Sequence, residues 1–379
     1  MTEPDTVTRV RNRSKMSLES SLGVLRPWSE QDDQAEAIRR MLETRPEGCA
    51  ELAEILATAR RIDPSDDESW YREWMQCADA LGAAARDAVR NGRPELAIRK
   101  WSGAVHCYEA AACPFSGSQP RQAVVLSRMR DCAREFLRCA DPQGEVVTIP
   151  WRADYQLEAY FLPARGERGG APTVICIGEP GRRKEPSLFK LAAHAERHGL
   201  ALLVVDLLGS GPDCRFEEIV GSRDLESAIA SVTDYVTGRD DVDEDRIAIL
   251  ADDWSSSFVA RGIALDPRYA AAVCDAGLWD IHERVFLSRR QAARERGRVP
   301  IASDGLAARQ IMCPLLVNVP ERGWLRADIA TRLVAQIKRE HPDITLKIVS
   351  SQCADSRDAD VFVFDWIANR LASPPQSSG

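Results

Sequence analysis

In the segment Asp245-Arg-Ile-Ala-Ile-Leu-Ala-Asp-Asp-Trp-Ser-Ser-Ser-Phe-Val-Ala-Arg261 a strand runs into a helix through a tight turn. Ile247 to Leu250 is a short apolar run with β-branched residues, the mark of a buried strand. Small and acidic residues follow, and Phe258-Val259-Ala260-Arg261 then has helical potential. A strand–turn–helix junction of this kind can hold a nucleophile at its strained apex, and the usual pattern is G-x-S-x-G. Laid on that pattern without a gap, Ala251-Asp252-Asp253-Trp254-Ser255 places Asp253 where the serine would stand. The framework is kept and the nucleophile is changed.

Strands and helices alternate on both sides of this junction. Upstream, Glu145 to Trp151 and Leu157 to Leu162 read as a β-hairpin. Thr173 to Ile177 is a buried strand, a Gly/Pro loop follows it, and Ser187 to His198 is a helix. Ala201 to Asp206 is another strand, and Leu225 to Val236 is the helix that leads into the strand at Ile247. Downstream, Ala270–Cys274, Pro314–Asn318 and Leu346–Ser350 read as strands, with helices at Asp328–Glu340 and Val361–Leu371. The alternation predicts an α/β fold, a mostly parallel doubly wound sheet with its ligand site at the carboxyl ends of the strands.

Before Gly144 the periodicity is helical. Ala35, Ile38, Met41 and Leu42, then Leu52, Ile55 and Leu56, recur at the spacing of one buried helix face. Asp63-Pro-Ser-Asp-Asp-Glu68 supplies a turn and an N-cap ahead of a helix carrying Trp70, Trp74 and Leu81. Asn91-Gly-Arg-Pro94 breaks the chain, and helices resume over Ala97–Ala112 and Pro120–Cys139. No clean 34-residue period is present, which favours a helical domain over a TPR-like array. The expected organisation is a loose N-terminus at 1–30, a helical domain at 31–143, an α/β domain at 144–372 and a loose tail at 373–379. Arg284 to Arg309 is long for a connection and rich in arginine. It reads as a lid-like insertion at about 281–310, or as a plain solvated helix face.

With 379 residues, 44% hydrophobic and 28% charged, the chain has the make-up of an ordinary globular protein of two domains. A net charge of −8 offers no electrostatic footprint for nucleic acid or an anionic membrane surface. Thr2 to Glu30 carries no apolar run of signal-peptide or membrane-span character, so a cytoplasmic location is expected. The 11 cysteines show no C-x-x-C pair and no histidine at metal spacing, so no metal site is expected and the thiols read as reduced core residues.

Several short motifs resemble the FrsA-like and 2,6-dihydroxypseudooxynicotine-hydrolase-like branch of the α/β-hydrolases. Gly178-Glu-Pro-Gly-Arg-Arg-Lys-Glu185 is similar to that family's GG-x-D-S-x-K-E loop. Val242-Asp-Glu-Asp-Arg-Ile247, Asp266-Pro-Arg-Tyr-Ala-Ala-Ala272 and Asp365-Trp366 extend the resemblance from about Trp70 to Leu371. The resemblance implies an α/β-hydrolase fold preceded by an all-helical N-terminal domain over the active site, and a homodimer. It also implies substrates of polyketide or aromatic metabolism.

Acyl-transfer hydrolysis requires a nucleophile, a base, a group that orients the base, and oxyanion donors. By position, Asp253 replaces the serine, and the orienting acid falls on Arg322, or on Glu321 with a one-residue slip. The base would follow the last strand, where Ser350-Ser-Gln-Cys-Ala-Asp355 has no histidine and offers Cys353 or Gln352. The oxyanion-donor position aligns with Pro180, which has no N–H, while Trp254 keeps its amide. Gly178, Glu179, Asp252 and Ser255 complete the expected oxyanion and substrate-binding set, with Glu283 and its neighbour His282 as weaker candidates.

Each assignment has a plainer alternative. Asp253 is a general acid–base or a structural cap of the following helix, and Cys353 a catalytic thiol or a buried filler. Ser255 or Ser256 would serve as a displaced nucleophile only with a base beside it. The expected function is a cofactor-free, non-hydrolytic enzyme that forms carbon–carbon bonds, cyclises or isomerises a bulky polyketide-like or aromatic small molecule. The alternatives are a carbon–carbon or ester hydrolase with a relocated base, and a binding or scaffold protein that has lost its chemistry.

Overall fold

The computed structural model describes residues 50–63, 65–112, 119–152, 155–166, 169–178, 182–207, 225–252, 255–275, 310–321, 326–339, 343–349 and 353–372, with Ile38 and His341. The chain divides into two compact units, Met1–Val125 and Leu126–Gly379, and the division falls inside one long helix.

The first unit is helical. Its described helices are α1 (Ala50–Ala59), α2 (Asp67–Arg90), α3 (Pro94–Ala112) and the start of α4 (Gln119–Cys139). The N-cap expected near residue 66 is present: the Asp66 carboxylate accepts from the Glu68 amide at 3.0 Å. Asp67 and Glu68 add negative charge to the same helix terminus, which the helix dipole favours. α2 ends at Asn91-Gly92, where Gly92 takes φ +66°, a conformation most side chains resist. Trp70, Trp74, Leu81, Trp101 and Tyr108 are buried between α2 and α3, the apolar faces their spacing predicted.

The second unit holds an eight-stranded sheet in the order β1-β2-β4-β3-β5-β6-β7-β8. The strands are β1 (Glu145–Arg152), β2 (Tyr155–Leu162), β3 (Ala171–Ile177), β4 (Ala201–Val205), β5 (Val242–Ala251), β6 (Ala271–Cys274), β7 (Leu315–Pro320) and β8 (Ile344–Val349). β1 and β2 form the expected antiparallel hairpin, β2 pairs antiparallel with β4, and every pair from β4 to β8 is parallel. All residues of β3 and β4 are buried, which is why these strands read as unbroken apolar runs rather than alternating ones.

Period-2 alternation sends side chains to two helical layers. Ile175, Ile177, Leu203, Val205, Ile249 and Ala251 point into one core with α6 (Leu225–Thr237), α7 (Ser256–Gly262) and α8 (Ala327–Ile337). On the opposite layer α5 (Glu185–Arg197) and α9 (Cys353–Leu371) pack together, burying Leu188, Leu191, Phe364 and Ile367. α7 meets α6 at Gly262, where a Cβ would lie 2.9 Å from Ile229. The last helix begins earlier than the apolar periodicity indicated, so Cys353 opens α9 instead of standing in a loop before it. No described helix is long and apolar enough to cross a membrane.

Candidate functional site

Parallel strands end on one edge of the sheet, and in this chain four of those ends carry a carboxylate. Asp206 follows β4, Asp252 follows β5, Asp275 follows β6 and Glu321 follows β7, with Gly178 following β3 between Asp206 and Asp252. Backbone bonds fix the row. The amide of Gly178 donates to Val205 O at 2.9 Å, Asp252 to Ile177 O at 3.0 Å, Asp275 to Ala251 O at 3.0 Å and Glu321 to Val349 O at 2.7 Å.

The junction between β5 and α7 is as the sequence indicated, a strand that breaks into a helix, with Asp252 just before the turn. Asp253 and Trp254 lie outside the described residues, as do Glu179, Glu283 and Arg322. Ser255 and Ser256 are fully buried. The Ser255 hydroxyl donates to the carbonyls of Asp252 (2.7 Å) and Ile177 (3.0 Å), and so ties the turn to the end of β3. Ser256 donates to Asp275 O at 2.5 Å and lies 3.3 Å from Ala251 O, tying the same turn to β6. Each hydroxyl has one proton, and both are committed to main-chain oxygens.

Histidine is placed elsewhere. His106 lies on α3, His194 on α5 with His198 capping its C-terminus, and His341 just after α8, while His282 is outside the described residues. His198 is bound at 2.7 Å to Asp365 of α9, away from the strand ends. The connection from β8 to α9, residues 350–352, is Ser-Ser-Gln and contains none. Glu321 is exposed at the end of β7.

Two charged clusters that the sequence reading did not single out flank this edge. Lys190 of α5 pairs with Asp360 of α9 at 3.1 Å. Desolvation opposes its charge, but the carboxylates of Asp360, Asp252 and Asp275 outweigh it and hold the ammonium above the ordinary lysine range. Nearby, Cys176 is pushed well above the usual thiol value by burial and by the negative charge of Asp252. Cys176 is thus an inert core thiol.

The second cluster is buried. Lys184 is fully enclosed, with its ammonium 3.1 Å from Glu158, 3.5 Å from Asp206 and 3.9 Å from Glu185. Its amide donates to Asp206 at 3.0 Å, Tyr160 donates to Glu185 at 2.7 Å, and Arg130 lies 3.1 Å from Glu158. Burial alone would discharge Lys184, yet Asp206, Glu185 and Glu158 together raise its pKa. Tyr160 is held neutral by burial and by the Glu185 charge. The cluster anchors the segment 178–184 at both ends, Gly178 on the β4 backbone and Lys184 on the β4 terminal carboxylate. An acidic residue directly after a buried run, as in Leu-Val-Val-Asp206 and Ala-Val-Cys-Asp275, is the sequence signal that would have found these strand-end groups. Among the described residues, no group of three or more His, Cys, Asp or Glu is arranged to hold a metal ion.

This sheet order, strand–turn–helix junction and helical first unit define the α/β-hydrolase fold. The structure is similar to a 2,6-dihydroxy-pseudo-oxynicotine hydrolase with a TM-score of 0.64 at 18% identity, over 88% of this chain and 95% of that one. It is also similar to AbyA5, with a TM-score of 0.59 at 18% identity over 90% and 99% of the two chains. In sequence, the chain is 26% identical over 307 residues to the hydrolyase poxO of Penicillium oxalicum, covering 78% of this chain and 67% of that protein. It is 30% identical over 260 residues to the 20-hydroxy-prefusarin hydrolase FUS2 of Gibberella moniliformis, covering 64% and 60%. The chain therefore spans about 60 to 67% of the length of these relatives. No family model matches it. The chain belongs to the α/β-hydrolase superfamily.

Proposed function

We propose that this chain is a cofactor-free enzyme of secondary metabolism that keeps the α/β-hydrolase framework and has given up hydrolysis. In this reading Asp253 moves a proton at the apex of the junction while a polyketide-like or aromatic substrate forms a carbon–carbon bond, cyclises or isomerises. The observation that carries the reading is the commitment of the Ser255 and Ser256 hydroxyls to backbone carbonyls, in a chain whose position for the serine holds Asp253. The absence of histidine from residues 350–352 supports it, because an ester on Asp253 would lack a base to activate water. The names of the Penicillium and Gibberella relatives support a role in the same kind of metabolism. Those names, a hydrolyase and a hydrolase, also favour a second reading, bond cleavage with the base relocated to another residue.

Purified protein is tested with p-nitrophenyl esters and a fluorophosphonate probe. The expected result is ester turnover at background and no covalent adduct. Stoichiometric labelling of Ser255, Ser256 or any other serine would overturn the non-hydrolytic reading.

A further inference from the structure

The first unit holds a pair of thiols that the proposed chemistry does not use. Cys77 of α2 and Cys107 of α3 face each other with Sγ atoms 3.7 Å apart, the Cys107 thiol donating to Cys77. Both side chains are buried, and both are free thiols. The pair is set by the packing of the two helices. Ala78, Gly82 and Ala85 on α2, with Gly103, Ala104 and Ala111 on α3, are small buried residues that allow a close approach. Two cross-helix hydrogen bonds fix the register around the thiols: Trp70 Nε1 to Ala110 O at 2.7 Å, and Tyr108 Oη to Asp79 at 2.6 Å.

The geometry points to Cys77 and Cys107 as an oxidation site at which a peroxide converts the two thiols to a disulfide across α2 and α3. The Cys77 thiolate attacks one peroxide oxygen, the O–O bond breaks, hydroxide leaves, and Cys77 carries a sulfenic acid. The Cys107 sulfur then attacks Cys77 Sγ, the S–O bond breaks, and water leaves with the Cys107 proton. Two thiols are oxidised and one peroxide is reduced to two waters. Cys77 is suited to the first step because the Cys107 S–H donor brings its pKa down to about 7, against the effect of burial, with help from Thr58 and Arg61. Cys107 is suited to the second because it stands in contact and has no exposed surface of its own.

The full chain is treated with hydrogen peroxide, quenched with an alkylating reagent and digested for peptide mass spectrometry. Cys139, an exposed thiol whose pKa is raised by burial and by Glu135, is the internal control for simple accessibility. The expected result is a Cys77–Cys107 peptide pair lacking two hydrogens, formed before Cys139 is consumed and reversed by dithiothreitol. In Cys107→Ser, oxidation should stop at a sulfenic acid on Cys77 that dimedone traps. Consumption of Cys139 with Cys77 and Cys107 still fully alkylatable after denaturation would overturn the proposal. So would a Cys107→Ser protein, folded by circular dichroism, in which dimedone labels Cys139 and leaves Cys77 bare.

Discussion

Replacing Lys184 by methionine removes the one ammonium from a buried site that keeps three carboxylates. Asp206, Glu158 and Glu185 lie within 3.9 Å of it, and Arg130, 3.1 Å from Glu158, is the second cation of the cluster. Breaking a buried ion pair by deleting one partner costs about 3–5 kcal/mol, and with three acids left together the cost should fall in the upper half of that range. Asp206→Asn is the informative partner variant. Its amide oxygen can still accept from the Lys184 amide, and Glu158 still neutralises the ammonium, so the loss should be only about 1–2 kcal/mol. Native-state hydrogen exchange of the β2 and β4 amides reads both losses locally, in the strands that hold Glu158 and lead into Asp206.

The pH dependence follows from the raised pKa of Lys184. A group that holds its proton more tightly when folded stabilises the fold fully below its unfolded value, about 10.5, and loses that contribution as pH rises through the higher folded value. The gap between wild type and Lys184→Met should therefore be constant from neutral pH to about 10 and shrink at more alkaline pH. A Lys184→Met protein within about 1 kcal/mol of wild type at pH 7 would refute the ionic account of this cluster.

Asp253→Asn keeps the volume of the side chain but cannot transfer a proton, so turnover of a compound that the wild type converts should fall at least ~100-fold; full activity would leave Asp253 a structural cap. Gly262→Ala places a methyl group 2.9 Å from Cβ and Cγ1 of Ile229 and should cost about 1–3 kcal/mol in urea denaturation; a loss below about 0.5 kcal/mol would show that α6 and α7 part freely. Asp266 accepts a bidentate contact from Arg268 that outweighs burial and holds its carboxyl below the ordinary value. A lowered carboxyl stabilises the fold above its unfolded value of about 3.8 and not below its folded one, so Asp266→Asn should cost about 1 kcal/mol at pH 7 and nothing in strong acid.

Most strands and helices were legible because burial imposes a period on side chains. The runs Thr173–Ile177 and Ala201–Val205 are unbroken since both faces of those strands are covered, and α2 shows its tryptophans at helical spacing. Two elements were longer than their apolar pattern. β5 starts at Val242, which pairs with Ala171 of β3 ahead of the polar Asp243, Glu244 and Asp245, and α9 starts eight residues before Val361. Backbone hydrogen bonds formed these extensions, and they leave no mark on residue type. At the site, the junction at Asp253 was legible because a known turn pattern can be laid on it. The buried cluster was not, although Lys184-Glu185 belonged to the motif that carried the family resemblance. Its members come from three distant segments, Glu158, Lys184–Glu185 and Asp206, and only the β2–β4–β3 pairing brings them together.

The strand order also sets a timetable for the nascent chain. From β3 to β5 and onward through β6, β7 and β8, each new parallel strand after the central pair is laid beside its predecessor, so this side of the sheet can grow outward as the ribosome delivers it. The delivery is uneven. Residues 275–314 separate β6 from β7, and at roughly 5–20 residues per second that interval lasts about 2–8 s. Through it the apolar β6, Ala-Ala-Val-Cys, is a sheet edge with its pairing groups open. Slow codons within 275–314 would lengthen that exposure, so insoluble protein on overexpression should depend on translation speed through this segment more than through the helical first unit.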